Sequence, residues 1–132
     1  MISAPGRFSD IPYGVMRVVL GALFACHGAQ KLFGVLGGQI ATGAQLKVAG
    51  AIELAGGILI ALGFLTRLAA FLASGEMAFA YFMKHAPSGF WPIQNKGELA
   101  VVYCLVFLFV ATYGAGRYGL DRRPPRGWRG SA

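Results

Sequence analysis

Charged residues are scarce in this sequence. They make up 13% of its 132 residues, about half of the roughly 25% typical of soluble domains. Hydrophobic residues make up 56%, so too few polar side chains remain to cover the surface of a soluble domain of this size. This balance excludes an ordinary soluble globular protein. We predict an all-α integral membrane protein whose first partner is the lipid bilayer, because long apolar segments cross a bilayer as helices.

Cysteine is scarce too. Only two cysteines are present, Cys26 and Cys104, and both lie in apolar runs. They do not belong to a spacing typical of a metal site, so we predict no metal. The two residues lie at matching distances from the ends of their runs. Two interpretations therefore stay open for them: small buried apolar residues, or a disulfide or redox pair.

The few charges that are present are mostly positive, and the formal net charge is +7. Aromatic residues do not alternate with basic ones as they do on a nucleic-acid-binding face, so we predict no nucleic-acid partner. Five arginines instead crowd into the last sixteen residues. Such an Arg-rich tail is expected to contact anionic lipids at the membrane surface.

Four apolar runs predict a bundle of four transmembrane helices. At about 1.5 Å per residue, the first run reaches roughly 34 Å, enough to cross a hydrocarbon core of about 30 Å. Glycines crowd the second run, and small residues let helices approach closely in lipid. The predicted boundaries are an N-terminal lead at 1–10, a transmembrane domain at 11–116 with helices at about 11–33, 45–65, 68–86 and 97–115, and a basic, disordered tail at 117–132.

Local signals refine the helix ends. Ser9 or Asp10 can cap the first helix, with Pro12 in its first turn. Thr66 and Arg67 are predicted to form a tight turn, which makes the second and third helices antiparallel neighbours.

The orientation of the bundle follows from the basic residues near the span ends. One predicted side carries Arg7, Arg67, Arg117 and the later tail arginines, whereas the other carries lysines. Because the side with more basic residues stays in the cytoplasm, we predict that both termini are cytoplasmic. The lysines on the outer side are Lys31, Lys84 and Lys96.

Seven polar side chains lie within or at the ends of the predicted spans, where an ionised group costs at least about 2.5 kcal/mol. Helix rise and topology place six of them in the outer half of the membrane. We therefore predict a polar pocket that opens outward and holds a small polar ligand, a quinone head group or protons. The candidate pocket residues are Arg17, His27, Gln30, Lys31, Glu53, Glu76 and Glu98.

Arg17 is the exception in depth, since it lies nearer the cytoplasm. It shares a helix face with Lys31 and can reach a carboxylate such as Asp121. Structural interpretations stay open for the whole set. Arg17 and Lys31 can extend to the nearer membrane surface, and Glu98 can stabilise a helix N-terminus. The acidic residues of the second and third helices can form ion pairs that only hold the bundle together.

Several short motifs together resemble the DoxX family of small four-helix bacterial membrane proteins, over residues 13 to about 122. They combine an HG-x-QKLFG stretch, an E-x-x-GG spacing and a GFLTR turn. The matching residues are Arg17 with Gly21, His27-Gly28, Gln30 to Gly34, Glu53 with Gly56-Gly57, Gly63 to Arg67, Gly97-Glu98, and Gly119-Leu120-Asp121.

The resemblance implies a multi-pass protein of the bacterial plasma (inner) membrane. It further implies an oxidoreductase subunit or accessory in a quinone-linked redox system that acts on sulfur compounds or thiols or in oxidative stress. The sequence itself contains no evident cofactor motif. The resemblance allows a quinone as the electron acceptor, and a soluble or membrane partner subunit would supply the redox centre. In this interpretation Lys31 and His27 donate hydrogen bonds or protons to a head group, and Glu53 is their counter-charge and proton acceptor.

Two other functions stay open at this point. One is a small proton-coupled transporter, because small four-helix multidrug exporters have a similar size. Those exporters carry a membrane-embedded carboxylate in the first helix, where this chain has Arg17 and Lys31. That difference argues against cationic substrates. A non-catalytic membrane scaffold is the other alternative, with ion pairs that serve stability alone.

Overall fold

The computed structural model describes residues 7–121, and this part of the chain is built from helices, with no β-strand. Four long helical segments and one short helix follow one another along it. They are α1 (Arg7–Phe33), α2 (Ala44–Leu62), α3 (Thr66–Ala80), α4 (Pro92–Asn95) and α5 (Glu98–Tyr113). The all-helical class predicted from the apolar runs is confirmed.

The first helix begins earlier than predicted. It is already formed at Arg7, so Ser9 and Asp10 lie inside the helix and the predicted cap at these residues is wrong. Pro12 is then an interior residue of α1, where it removes one backbone donor. The other end agrees with the prediction, because α1 ends at Phe33 directly before Gly34.

The connection between α2 and α3 is also displaced from its predicted place. Gly63 ends α2 in a left-handed conformation with φ of 70°, and its N–H bonds the Ile60 carbonyl at 3.1 Å. Left-handed backbone at this position favours glycine. Thr66 and Arg67 therefore do not form the turn; they begin α3, and the turn lies at 63–65.

The third helical segment changes its winding near its end. After Ala80 it continues as a π-helical turn at Tyr81–His85 and a 3₁₀ turn at Ala86–Ser88. The short helix α4 follows inside the predicted loop. The winding matters for the site, because a π turn carries an extra residue and changes the direction in which the following side chains point.

Helices α1 and α2 pack backbone to backbone through small residues. A Cβ added at Gly28 would lie 2.3 Å from the Leu54 nitrogen, and one at Gly57 would lie 2.4 Å from the Ala25 nitrogen. No side chain fits in such a space, so glycine is required for this approach, as expected from the glycine-rich second run. Helices α3 and α5 also pack together, and α2 contacts α3.

Large apolar side chains cover the outside of the helices as well as the inside. Two helical stretches are long and apolar enough to cross a membrane, Phe8–Phe33 and Ala44–Leu62, and Glu98–Tyr113 is a shorter apolar helix. The core centres on aromatic side chains of α1 and α5, with Phe24 packed against Phe107 at a ring distance of 4.8 Å.

The beginning of the predicted tail is ordered. Residues 117–121 return to the α2–α3 turn, where the Leu120 N–H donates to the Leu62 carbonyl at 3.1 Å and the Asp121 N–H to the Gly63 carbonyl at 2.7 Å. The predicted disorder is therefore wrong for this part, because these residues complete the turn's backbone hydrogen bonds. Arg122, Arg123, Arg126 and Arg129, on which the predicted lipid contact rests, lie outside the described residues.

Candidate functional site

An ion pair between α1 and α2 forms the centre of the site. Lys31, in the last turn of α1, donates to Glu53 of α2. The Glu53 side chain is only 1% exposed, whereas that of Lys31 is 30% exposed. Gly50 makes the contact fit, because a Cβ there would lie 3.0 Å from the Cβ of Lys31. The close packing of the two helices thus holds a buried carboxylate against a half-buried lysine.

Glu76 of α3 joins this pair from a third helix, and its carboxyl group lies close enough to that of Glu53 to interact with it. Lys31 occupies Oε1 of Glu53. Oε2 of Glu53 and Oε2 of Glu76 are both buried and have no hydrogen-bond donor. Buried acceptors without a donor are rare in folded proteins, so the two orphaned oxygens mark this contact as unusual.

Glu53 lines a cavity of about 360 Å³ enclosed mainly by α1, the end of α3 and the start of α5. We call it the basic cavity, because three lysines and two histidines line it with one carboxylate. Among residues 7–121 the one carboxylate ion pair of these lysines is that of Lys31. The polar lining residues are His27, Lys31, Glu53, Lys84, His85, Lys96 and Tyr103.

The basic cavity contains residues that sequence reasoning missed as site candidates. Lys84 and Lys96 entered the sequence analysis only through the orientation of the bundle, and His85 not at all. One signal for them was available in the sequence. The lysines on the side opposite the arginines lie at the ends of successive spans, and therefore at one end of the molecule. Lys47 also lies at this end, exposed on α2, but it does not line the basic cavity.

A hydrogen-bond network around Asn95 fixes this side of the cavity. The Asn95 side-chain amide donates to the Tyr81 hydroxyl at 3.1 Å and the Gly89 carbonyl at 2.7 Å. Its carbonyl oxygen accepts from the Gly97 N–H at 2.8 Å. The ring of His85 bonds the Asn95 backbone carbonyl through Nδ1 at 3.2 Å. The π turn and the start of α5 are thereby tied together.

A second concavity of about 740 Å³ lies between α2 and α3, and we call it the α2–α3 groove. Its walls are mostly apolar and include Ile52, Phe71 and Phe79. Its charged lining residues are Lys31, Glu76 and Lys84, and it does not include Glu53. The groove and the basic cavity share both lysines, so the two spaces are neighbours at these side chains.

Besides Arg17, which is described below, two predicted pocket residues lie apart from both spaces. Gln30 donates to the Leu36 carbonyl at 3.0 Å and supports the loop after α1. Glu98 is exposed in the first turn of α5, where a negative charge favours the helix N-terminus. These two residues were predicted at the same depth as the other pocket residues. Their side chains, however, point in other directions around the helix axis.

The cysteines are not joined. Both are free, with Cys26 exposed on α1 and Cys104 half-buried on α5. Ser74 donates to the Cys104 backbone carbonyl at 2.7 Å, and its hydroxyl lies 3.6 Å from the Cys104 sulfur. The structure therefore contains no disulfide between them. Among residues 7–121, no group of three or more His, Cys, Asp or Glu side chains is placed to hold a metal ion.

Arg17 lies at the opposite end of the helices and does not line the basic cavity or the α2–α3 groove. It is 1% exposed, and its guanidinium donates to the carbonyls of Ile60 at 2.5 Å, Ala61 at 2.8 Å and Tyr118 at 3.3 Å. A cation at a helix C-terminus satisfies carbonyls that the helix leaves open. The predicted place of Arg17 in the pocket is therefore wrong, because the end of α2 binds it.

Asp121 completes this end of the molecule. Its carboxylate accepts from the backbone N–H groups of Leu65 at 2.9 Å and Thr66 at 3.0 Å, at the start of α3. Burial alone would raise the pKa of Asp121. Hydrogen bonds from Thr66 and Leu65, with the charge of Arg17, outweigh burial and hold that pKa below its ordinary value. Arg17 thus influences Asp121 through charge and directly bonds backbone carbonyls.

Comparison with known proteins agrees with the motif resemblance. A family model described as DoxX matches residues 14–86, which include Lys31, Glu53 and Glu76. A protein of Haemophilus influenzae (strain ATCC 51907 / DSM 11121 / KW20 / Rd), named "Uncharacterized protein", is 46% identical over 116 residues, which cover 82% of this chain and 87% of the relative. No solved structure matches the chain. The chain belongs to the DoxX family of membrane proteins.

Proposed function

We propose that this protein crosses the bacterial plasma (inner) membrane four times, with both termini in the cytoplasm. Helices α1 and α2 have the required length and apolar character. Large apolar side chains are also exposed on the other two long helices, among them Phe71 and Phe79 of α3 and Leu105 and Phe109 of α5. Side chains of this kind on several faces suit contact with lipid, and the arginine bias supports the orientation.

The proposed function is that of a subunit or accessory of a quinone-linked redox system, with the quinone bound in the α2–α3 groove. One observation carries this proposal: the lining of a mostly apolar groove includes three charged side chains, Lys31, Glu76 and Lys84. An amphiphile with an apolar tail and a polar head matches that distribution, since ligand pockets are mostly apolar with a few polar groups that fix orientation.

The charged residues that line the groove have the chemistry that a quinone head group needs. Lys31 and Lys84 can donate hydrogen bonds to carbonyl oxygens. Glu76 can exchange a proton with a group beside it. A bound quinone supplies the electron-accepting carbonyl groups, and a partner subunit of the redox system supplies the electrons. The chain's own contribution is to bind, orient and protonate.

Gly75 offers a direct test, because it lines the groove and a Cβ added there meets no atom within 4 Å. Gly75→Leu should fill the groove and leave the fold intact. We expect it to weaken binding of a short-chain ubiquinone analogue by roughly tenfold or more, equivalent to about 1.4 kcal/mol. Isothermal titration calorimetry of the purified protein in nanodiscs measures the dissociation constant.

Ala51→Leu is the matched control, since Ala51 is exposed on α2 outside the groove. It should bind the analogue as the unmodified protein does. Equal binding by Gly75→Leu would contradict the groove as the binding place. No binding by any of the three proteins would favour the scaffold, and proton-coupled uptake into vesicles would favour the transporter.

A further inference from the structure

The carboxyl groups of Glu53 and Glu76 stand between the two concavities. Glu53 lines the basic cavity but not the α2–α3 groove, whereas Glu76 lines the groove but not the cavity. The two groups contact one another. A chain of two carboxyl groups therefore connects a space lined by the exposed lysines Lys84 and Lys96 with a space lined by apolar side chains.

The buried oxygens of Glu53 and Glu76 need a proton between them to form a hydrogen bond. An ionised carboxylate only accepts hydrogen bonds, whereas a protonated one also donates. With both groups ionised, Oε2 of Glu53 and Oε2 of Glu76 would each be a buried acceptor without a donor. Two like charges in contact would also repel strongly in an apolar surrounding. One proton shared by the pair supplies the donor and removes the repulsion.

The surrounding charges agree with one shared proton. Lys31 contributes one positive charge to Glu53, so the group of Lys31, Glu53 and Glu76 is neutral when the two carboxyl groups hold one proton between them. Lys84 also lines the groove beside Glu76, but it is exposed and its charge acts on Glu76 less than that of Lys31 does. A neutral group suits a buried place, where unpaired charge is costly. The other titratable side chains that face Glu53 across the basic cavity are His27 of α1, Lys84 and His85 of the π turn, Lys96, and Tyr103 of α5.

We propose that Glu53 and Glu76 share a single proton and relay protons from the basic cavity to the α2–α3 groove. In each transfer the hydroxyl of Glu53 gives its proton to the carboxylate of Glu76. Glu53 then takes up a replacement from the cavity, and Glu76 releases its proton on the groove side. The destination of the proton, a reduced quinone oxygen, rests on the proposed function; the shared proton itself does not.

Infrared spectroscopy tests the shared proton without any quinone. The whole chain has five acidic side chains, so the spectrum in a carbonyl-free maltoside detergent is simple. We expect the purified protein at pH 7 to show the carbonyl band of a protonated carboxylic acid that shifts in D₂O. Growth with ¹³C-labelled glutamate should shift this band, which assigns it to glutamate without any substitution.

Glu53→Gln and Glu76→Gln should each remove the band. The remaining carboxylate then keeps Lys31 as its counter-charge and gains an amide N–H as its donor. Glu98→Gln is the matched control and should keep the band, since Glu98 is exposed away from the pair. The proposal is overturned if the unmodified protein shows no such band, or if the band survives both substitutions at the pair. If the band is present but quinone analogues do not bind, the proposed function fails and the shared proton stands.

Discussion

Each end of this molecule buries one charged side chain completely, but the two charges have very different partners. At one end Arg17 is 1% exposed and donates to three backbone carbonyls. At the other end Glu53 is also 1% exposed, yet it has a single ion-pair partner and one oxygen without a donor. Glu53 lines the basic cavity, whereas Arg17 lines neither this cavity nor the α2–α3 groove.

The difference distinguishes a charge that holds the structure together from a charge that can take part in chemistry. Backbone carbonyls cannot move away without unwinding the helix, so Arg17 is bound permanently to the end of α2. The partners of Glu53 are the side chains of Lys31 and Glu76, which can rotate or exchange a proton while the helices stay in place. A bilayer makes both buried charges expensive, and only the second arrangement allows the charge to change during function.

Arg17→Met should have the largest effect on stability. The substitution removes the guanidinium donor of the Ile60, Ala61 and Tyr118 carbonyls, of which Ile60 keeps the Gly63 N–H. Hydrogen bonds to a charged group contribute about 1.5 to 3 kcal/mol each. We expect the free energy of unfolding to fall by about 3 kcal/mol or more. Denaturant unfolding of the purified protein in detergent micelles measures this change.

Lys47→Met serves as the control for Arg17→Met, because Lys47 is an exposed cation at the other end of the molecule. Its effect should stay within about 0.5 kcal/mol, as for most surface substitutions. An Arg17→Met protein as stable as the unmodified one would contradict the structural role of this charge.

Sequence reasoning predicted the Glu53 end better than the Arg17 end. Helix rise places Lys31 and Glu53 at comparable depth, and their contact follows once glycines bring α1 and α2 together. The partners of Arg17 could not be predicted in the same way. They depend on the left-handed turn at Gly63 and on the return of residues 117–121 to this turn, which places the Tyr118 carbonyl beside Arg17. This return has no apolar periodicity to reveal it.

The far wall of the basic cavity was hidden for a different reason. Lys84 and His85 lie in a π turn, and the extra residue of such a turn rotates the following side chains away from the direction that a regular α-helix predicts. Glu98 shows the converse error. Its depth matched the pocket, but depth carries no information about direction around the helix axis, and its side chain is exposed.

Asp121→Asn should have an intermediate effect, and it should depend on pH. Because the pKa of Asp121 is held below its ordinary value of 3.8 in the folded protein, the unfolded chain binds the proton more readily. The stabilisation by this carboxylate is therefore complete above about pH 5 and is lost as pH falls through its folded pKa. Above pH 5 the substitution should cost about 1 kcal/mol, because asparagine has one acceptor oxygen for the two backbone N–H groups and so loses one hydrogen bond.

Thermal unfolding of both proteins between pH 3 and pH 7 measures this dependence. The difference in stability between the unmodified protein and Asp121→Asn should shrink as the pH falls. A constant difference across this range would mean that the charge of Asp121 does not contribute to the Arg17 end.

Glu53→Gln should have the smallest effect on stability, although it replaces a completely buried ion-pair residue. Glutamine has the same shape as glutamate, and its amide oxygen can still accept from Lys31. Its amide N–H₂ can donate to Glu76, whose buried oxygen otherwise depends on the shared proton. Each buried partner thus keeps a hydrogen bond, so we expect the free energy of unfolding to change by less than about 1 kcal/mol. Unfolding in the micelles used for Arg17→Met gives a direct comparison. If Glu53→Gln costs as much as Arg17→Met, both buried charges serve stability, and the distinction between the two ends of the molecule fails.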